Sequence, residues 1–175
     1  IAAGNGYSQT IGPYTVKTLC TALSTPVYEN FDNSSIGGST NPNAPSCWSY
    51  LEEAGAQGYG YISNSNSWIT PRSGSNFYTL NSSYDVAMEA LVSPAINDLS
   101  NGAYLEFYAD ATTSSSGPGG NTLYIGSLSN TTSLNSLDIF DTVFVPSMGG
   151  WRKYTIYFDA STGFNMSDDH IAIVS

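Results

Sequence analysis

The chain has 175 residues, and 14 acidic against 4 basic side chains give it a formal net charge of −10. Four cations cannot neutralise a run of phosphates, so the charge argues against nucleic-acid binding. The acidity and the lack of an apolar run of about 18 residues argue equally against insertion into a membrane.

The composition favours strands and turns over helices. Only 10% of the residues are charged, whereas Ser, Thr and Asn together make up 58 of 175 and Tyr a further 13. These residues suit β-strands and turns, and surface helix formers such as Lys and Arg are scarce. With 41% hydrophobic and 13% aromatic residues the chain can fill a core. We therefore expect one all-β domain of ordinary size.

Short alternating segments separated by turn residues predict about ten strands, a spacing typical of a β-sandwich or jelly roll. We expect 104–110 to pair with 123–128, and 137–145 with 151–159. In the first of these, Glu106 and Tyr108 should face outward, and Leu105, Phe107 and Ala109 inward. The predicted strands are 12–18, 27–31, 59–62, 76–80, 86–92, 104–110, 123–128, 137–145, 151–159 and 170–174, with a further apolar pattern at 47–51.

The two cysteines, Cys20 and Cys47, stand 27 positions apart. This spacing fits no zinc motif. They are either two buried thiols or one disulfide, and the secreted type of composition favours the disulfide. A closed loop of this size stabilises a fold by roughly 3 kcal/mol in the chain-entropy model.

Residues for catalysis are few. His170 is the only histidine, and no Gly-x-Ser-x-Gly nucleophile elbow occurs. The adjacent acids Glu52–Glu53 and Asp168–Asp169 would point to opposite faces of a strand, so neither pair makes a facing couple for glycoside hydrolysis. The sequence predicts a protein that is not an enzyme.

Aromatic residues in loop-rich sequence suggest a place where a ligand could bind. Flat exposed rings can stack on sugar rings, and Tyr59, Tyr61 and Trp68 are placed to do so. The alternative is that these side chains belong to the core or simply favour strands.

Several segments, in order, carry a family resemblance. Residues 12–20, Gly-Pro-Tyr-Thr-Val-Lys-Thr-Leu-Cys, resemble the last strand of a bacterial fibronectin type III domain. The segment that follows, with Tyr-Glu-Asn-Phe-Asp at 28–32 and Pro-Ser-Cys-Trp-Ser at 45–49, resembles the start of a MAM-like, cleaved-adhesin type jelly-roll domain of secreted Bacteroidetes proteins. Later segments at 91–100, 104–110 and 151–158 are similar to that family's strands.

The resemblance implies an organisation. Residues 1–22 would be the end of a fibronectin type III-like module and a linker, and 23–175 a MAM-like jelly-roll domain. The family's closing acidic strand has no counterpart in 171–175, so we expect the domain to lack its final strand and the chain to be a piece of a longer one. A neighbouring module or a copy of the same chain could fill the open sheet edge.

The resemblance also implies a structural calcium ion near the start of the domain, bound by acids from that region and from the region before the last strand. Solvated acids and turn caps are the alternative. The expected ligands are Glu29, Asp32, Asp168 and Asp169, with Asp110 and Asp159 as further candidates.

The leading hypothesis is a non-catalytic adhesin or structural repeat module, extracellular or at a bacterial cell surface, exported by type IX secretion. Its partners would be neighbouring modules, copies of itself and extracellular glycans. The alternative is a carbohydrate-binding module attached to a secreted glycan-degrading enzyme, and a hydrolase is the third hypothesis.

Overall fold

The computed structural model describes residues 20–65, 69–82, 87–112, 121–147 and 149–175. Within these ranges the chain forms nine strands and three single turns of 3₁₀-helix, and it has no helix that could span a membrane. The strands are β1 (Ser49–Glu52), β2 (Tyr59–Ser63), β3 (Phe77–Asn81), β4 (Glu89–Val92), β5 (Tyr104–Ala109), β6 (Thr122–Leu128), β7 (Asp138–Phe144), β8 (Arg152–Tyr157) and β9 (His170–Val174). The turns of 3₁₀-helix are Leu99–Asn101, Leu134–Ser136 and Ala160–Thr162.

The strands form one five-stranded sheet and two two-stranded sheets, all antiparallel. The large sheet has the order β1-β4-β9-β6-β7, and the small sheets are β2-β3 and β5-β8. The expected all-β sandwich class is confirmed. The last strand of the chain, β9, pairs with β4 and with β6, so it lies inside the sheet and not at an open edge.

The register of the large sheet sorts its side chains onto two faces. Leu91 stands opposite Ile173, and Ile173 stands opposite Ile125, so the three share one face. Ala90 and Val174 are opposite each other on the second face. Successive residues of β4 and β9 point to opposite faces, and both faces are buried. These strands therefore have apolar residues at nearly every position.

Each face of the large sheet has its own core. The first face packs against the small sheet β5-β8, in a cluster of Ile96, Leu99, Ile125, Val143, Val145, Ile156, Phe158, Phe164 and Ile171. The second face is covered by the 3₁₀ turn at Leu134, in a cluster of Ala90, Val92, Leu128, Leu134, Ala172 and Val174. Together the large sheet and β5-β8 form the two layers of the sandwich.

The other small sheet packs on β1 through a glycine. A Cβ at Gly60 would lie 2.6 Å from the Tyr50 ring and 2.7 Å from the Tyr78 hydroxyl, so only glycine fits there. The Tyr78 hydroxyl donates to the carbonyl of Asn43 at 2.9 Å. Burial raises the pKa of Tyr78 well above its usual value, and burial followed by the hydrogen bond to Glu52 does the same to the pKa of Tyr50.

The predicted disulfide is confirmed. Cys20 and Cys47 are bonded, with their Cα atoms 5.6 Å apart. The bond ties the first described residue to the segment just before β1, and both cysteines are exposed.

The strand expected at 27–31 does not form. The Phe31 amide donates to the Glu29 carboxylate at 2.5 Å, the Asp32 amide donates to the Asn30 side chain at 3.2 Å, and Phe31 has a φ of 66°. These side chains accept hydrogen bonds from backbone amides that would otherwise bond to a neighbouring strand, and the backbone turns at this point. The strand expected at 12–18 lies outside the described residues.

The expected pairings of the later strands are wrong. β5 pairs with β8, whereas β6 lies between β9 and β7. The chain crosses between the two layers from β5 to β6 and again from β7 to β8, so these neighbours in sequence do not pair. The positions of these strands and the outward side chains of β5 are as predicted, with Glu106 and Tyr108 exposed.

Candidate functional site

Asp32, an expected calcium ligand, holds a loop. Its carboxylate accepts hydrogen bonds from the amides of Ser75 at 2.7 Å and Asn76 at 3.0 Å, and from the Asn30 side chain at 3.1 Å. Gly74, with a φ of 66°, lies directly against this carboxylate, where a Cβ would collide with it. The loop 74–76 is therefore fixed by Asp32.

The other expected ligands also have partners within the protein. The buried Asp168 accepts a hydrogen bond from the Ser127 hydroxyl at 2.7 Å, and Asp169 lies 2.5 Å from His170 Nδ1. Among the described residues, no three His, Cys, Asp or Glu side chains are grouped so that they could hold a metal ion. The structure thus does not bring the four expected ligands together, and the calcium ion stays a prediction.

The arrangement of Ser127, Asp168 and His170 is not that of a catalytic triad. A triad needs the histidine between the serine and the acid, so that it can take the hydroxyl proton. Here the Ser127 hydroxyl donates to Asp168, while His170 Nδ1 faces Asp169. Ser127 is also completely buried, so no substrate can reach it.

The tyrosines predicted to bind a ligand lie side by side. Tyr59 and Tyr61 have ring centroids 5.6 Å apart with planes 37° apart, and both are half-buried on β2. Gly37 belongs to a segment that is hydrogen-bonded to the edge of β2 opposite β3, and it lies close to the Cβ of Tyr61. Trp68 lies outside the described residues.

A more exposed group of aromatic residues lies on the outer face of β5 and β8. Tyr104 and Tyr157 stand opposite each other, with ring centroids 6.0 Å apart and 58% and 61% of their surface exposed. Tyr108 lies on the same face, four residues further along β5. We call this surface the tyrosine face, made of Tyr104, Glu106, Tyr108, Lys153, Thr155 and Tyr157.

Charged side chains complete the tyrosine face. Lys153 Nζ lies 2.7 Å from Glu106 Oε2 in its middle, and the hydrogen bond to Glu106 raises the pKa of Lys153. At one end the guanidinium of Arg72 is stacked on Tyr108, with Cζ 3.4 Å from the ring centroid. This is a close cation–π contact.

Arg72 is positioned by a loop that is held on both sides. The Trp151 indole donates to the carbonyl of Thr70 at 2.9 Å, and the Trp151 ring meets Phe77 edge-on at 6.0 Å. The bonds from Asp32 hold the other side of the loop at residues 74–76. The chain thus carries Arg72 across to β5 on a fixed support.

The inner side of the same two strands is part of the core. Phe107 and Tyr154 are stacked with centroids 5.5 Å apart, and Ile156 is buried. Since the same residues that build the core set the orientation of β5 and β8, the exposed rings project from a packed support.

The sequence singles out neither Tyr157 nor Arg72. Strict alternation in 151–159 does indicate an outward Tyr157, because Tyr154, Ile156 and Phe158 share the inward face. No sequence signal places Arg72 over Tyr108, since the loop reaches it through long-range contacts.

Comparison with known proteins finds similarity in structure alone. No protein-family model matches the sequence, and no curated protein matches it. The fold is similar to the crystal structure of the K2 cleaved adhesin domain of Lys-gingipain, with a TM-score of 0.58 and 14% sequence identity, over 83% of this chain and 87% of that one. This likeness shows the fold. The MAM-like subtype and the fibronectin type III-like segment stay predictions.

Proposed function

We propose that the chain is a non-catalytic, adhesin-like module that acts outside a bacterial cell, as part of a larger secreted or surface protein. Its role is to present a binding surface on a rigid support. The observation that carries the proposal is the tyrosine face, an open group of exposed rings on strands whose other side is the core.

The likeness to a cleaved adhesin domain supports an adhesive role at the level of fold. The disulfide between Cys20 and Cys47 fits an oxidising, extracellular location. Export by type IX secretion follows from the family resemblance and is part of the same proposal.

The chemistry of the described residues supports a role without catalysis. Within the described ranges the only histidine of the chain faces Asp169 and no nucleophile, and the buried Asp168 is bonded to Ser127. The exposed tyrosines, in contrast, are suited to contact a ligand without changing it.

A carbohydrate-binding module attached to a glycan-degrading enzyme is the second candidate. Paired exposed tyrosines favour it, because their flat rings can stack against sugars. The neighbouring domains decide between the two, since a catalytic domain beside this one would favour the second candidate.

The test is a binding survey with the 175-residue chain. Immobilised neutral and acidic polysaccharides and extracellular matrix proteins are offered, and both retention of the chain and release of cleaved products are measured. Saturable retention with no cleaved product supports the proposal. Cleavage of any member contradicts it, and so does the absence of retention on the whole panel.

A further inference from the structure

We infer that the tyrosine face binds an acidic polysaccharide, one that carries carboxylate groups along its chain. The inference deepens the proposed function and rests on it. It places the ligand on β5 and β8, away from the expected pair Tyr59 and Tyr61.

The size of the face favours a narrow ligand. Six residues of strand extend for about 20 Å, and two strands are about 10 Å wide, so the face covers roughly 200 Å². A stable protein interface takes about 800 Å² from each partner. A single extended saccharide chain fits this strip, whereas a globular partner or a second copy would have to rely mostly on other surfaces.

The chemistry of the face suits sugar rings. Tyr104 and Tyr157 expose apolar ring faces that end in hydroxyls, which matches the mixed apolar and polar surface of a sugar. Between them and Tyr108, the Glu106–Lys153 pair offers hydrogen-bond acceptors and donors to sugar hydroxyls. Tyr104 and Tyr108 are about 13 Å apart along the strand, so the ligand would span several sugar units.

The distribution of charge favours an acidic chain. Two of the four basic residues of this strongly acidic protein, Arg72 and Lys153, lie at the Tyr108 end of the tyrosine face. The salt bridges among the described residues use Lys153 and leave out Arg72. A polyanion repelled by most of the surface would therefore meet its complementary charge here.

Arg72 is the residue that would read the carboxylate. Stacking on Tyr108 fixes the plane of the guanidinium, and its N–H groups lie in that plane. A guanidinium held in this way offers the paired donors that a carboxylate accepts.

The test uses polygalacturonate as the acidic probe and a neutral β-glucan of similar length as the comparison. Binding to the full chain is measured by calorimetry and by affinity electrophoresis at low and high salt. We expect tight binding to polygalacturonate that weakens with salt, and weaker, salt-independent binding to the glucan.

Three variants locate the site. Replacing both Tyr104 and Tyr157 by alanine should weaken binding at least tenfold, and Arg72→Gln should remove the preference for the acidic probe. Tyr28→Ala is the matched control, because Tyr28 is 83% exposed and lies outside the tyrosine face. Since the replaced tyrosines are exposed, melting temperatures should stay near that of the parent chain.

Several outcomes would overturn the inference. Polygalacturonate binding that the double variant retains places the site elsewhere, and the proposed function still stands. Binding of the neutral glucan alone would also contradict the inference and leave the proposed function standing. So would a double variant that abolishes self-association, since a second copy would then be the partner. If no polysaccharide or matrix protein is retained at all, the proposed function fails together with the inference.

Discussion

Loss of the Ser127 hydroxyl should destabilise the fold strongly, although the change removes one atom. Ser127 is fully buried and donates at 2.7 Å to Asp168, which is 6% exposed. A hydrogen bond to a charged group contributes about 1.5–3 kcal/mol, and a buried carboxylate that loses its donor cannot turn to water instead. We expect Ser127→Ala to lower the free energy of unfolding by about 2 kcal/mol.

This loss can be measured by thermal and urea unfolding. For a chain of this length 1 kcal/mol corresponds to about 2–4 °C, so Ser127→Ala should melt roughly 4–8 °C lower. Ser129→Ala is the control, because Ser129 is exposed one residue past the end of β6. A double-mutant cycle with Asp168→Ala should give a coupling free energy of about 2 kcal/mol. If Ser127→Ala and Ser129→Ala melt together, the hydrogen bond has no such weight and the reasoning is wrong.

Three further predictions concern the segment at the start of the described chain. Replacing Cys20 and Cys47 by serine should lower the free energy of unfolding by roughly 3 kcal/mol, as measured in urea, because the unfolded chain regains the freedom of the closed loop. Asp32→Ala should cost about 2 kcal/mol, because two amides of the loop 74–76 lose a charged acceptor. Bonds from the hydroxyl and then the amide of Thr25 hold the pKa of Asp98 below its usual value. The stability from this carboxylate is therefore present above the usual pKa of an aspartate and is lost as the pH falls through the lowered pKa. Below about pH 4 the parent chain should therefore lose melting temperature more steeply than Asp98→Asn.

Each of these predictions has its own control. Reducing agent should shift the parent chain to the stability of the double serine variant and leave that variant unchanged. Asp32→Asn keeps one oxygen acceptor and should lose less than Asp32→Ala, so equal losses would contradict the assigned role. For Asp98, identical acid profiles of the parent and Asp98→Asn would show that its bonds with Thr25 add nothing.

The positions of the strands could be predicted because alternation is a local property. In β5 the even positions are exposed and the odd positions face inward, and this alternation is visible in the sequence itself. The disulfide could be predicted because the chain has only two cysteines and a composition typical of secreted proteins.

The pairing of the strands could not be predicted, because it depends on which layer each strand joins. Leu105 and Ile156 meet in one small sheet only because both pack on the same face of the large sheet. The prediction of a strand at 27–31 was wrong for a different reason. Its apolar residues suit a strand, but Glu29 and Asn30 bond to the local backbone and turn it.

The sequence predicts a ligand site of aromatic rings at Tyr59, Tyr61 and Trp68, and this assignment stays a prediction. The structure adds a more exposed pair, Tyr104 and Tyr157, which the sequence could not bring together because they stand on strands that are neighbours only in the folded chain. Asp32 and Asp168 stay predicted calcium ligands on the family resemblance, and the sequence could not show the amides and the hydroxyl that bond to them.

The inner position of β9 matters for a module that carries tension. Force entering along this strand loads two hydrogen-bond ladders at once, the one with β4 and the one with β6, whereas an edge strand would peel from one neighbour. The disulfide limits the extension of the segment before β1. Its cysteines are 27 residues apart, so the bond prevents about 90 Å of chain between them from being drawn out. In the adhesive role proposed above, the module would form a short, stiff link while the cysteines are oxidised and a longer one after reduction.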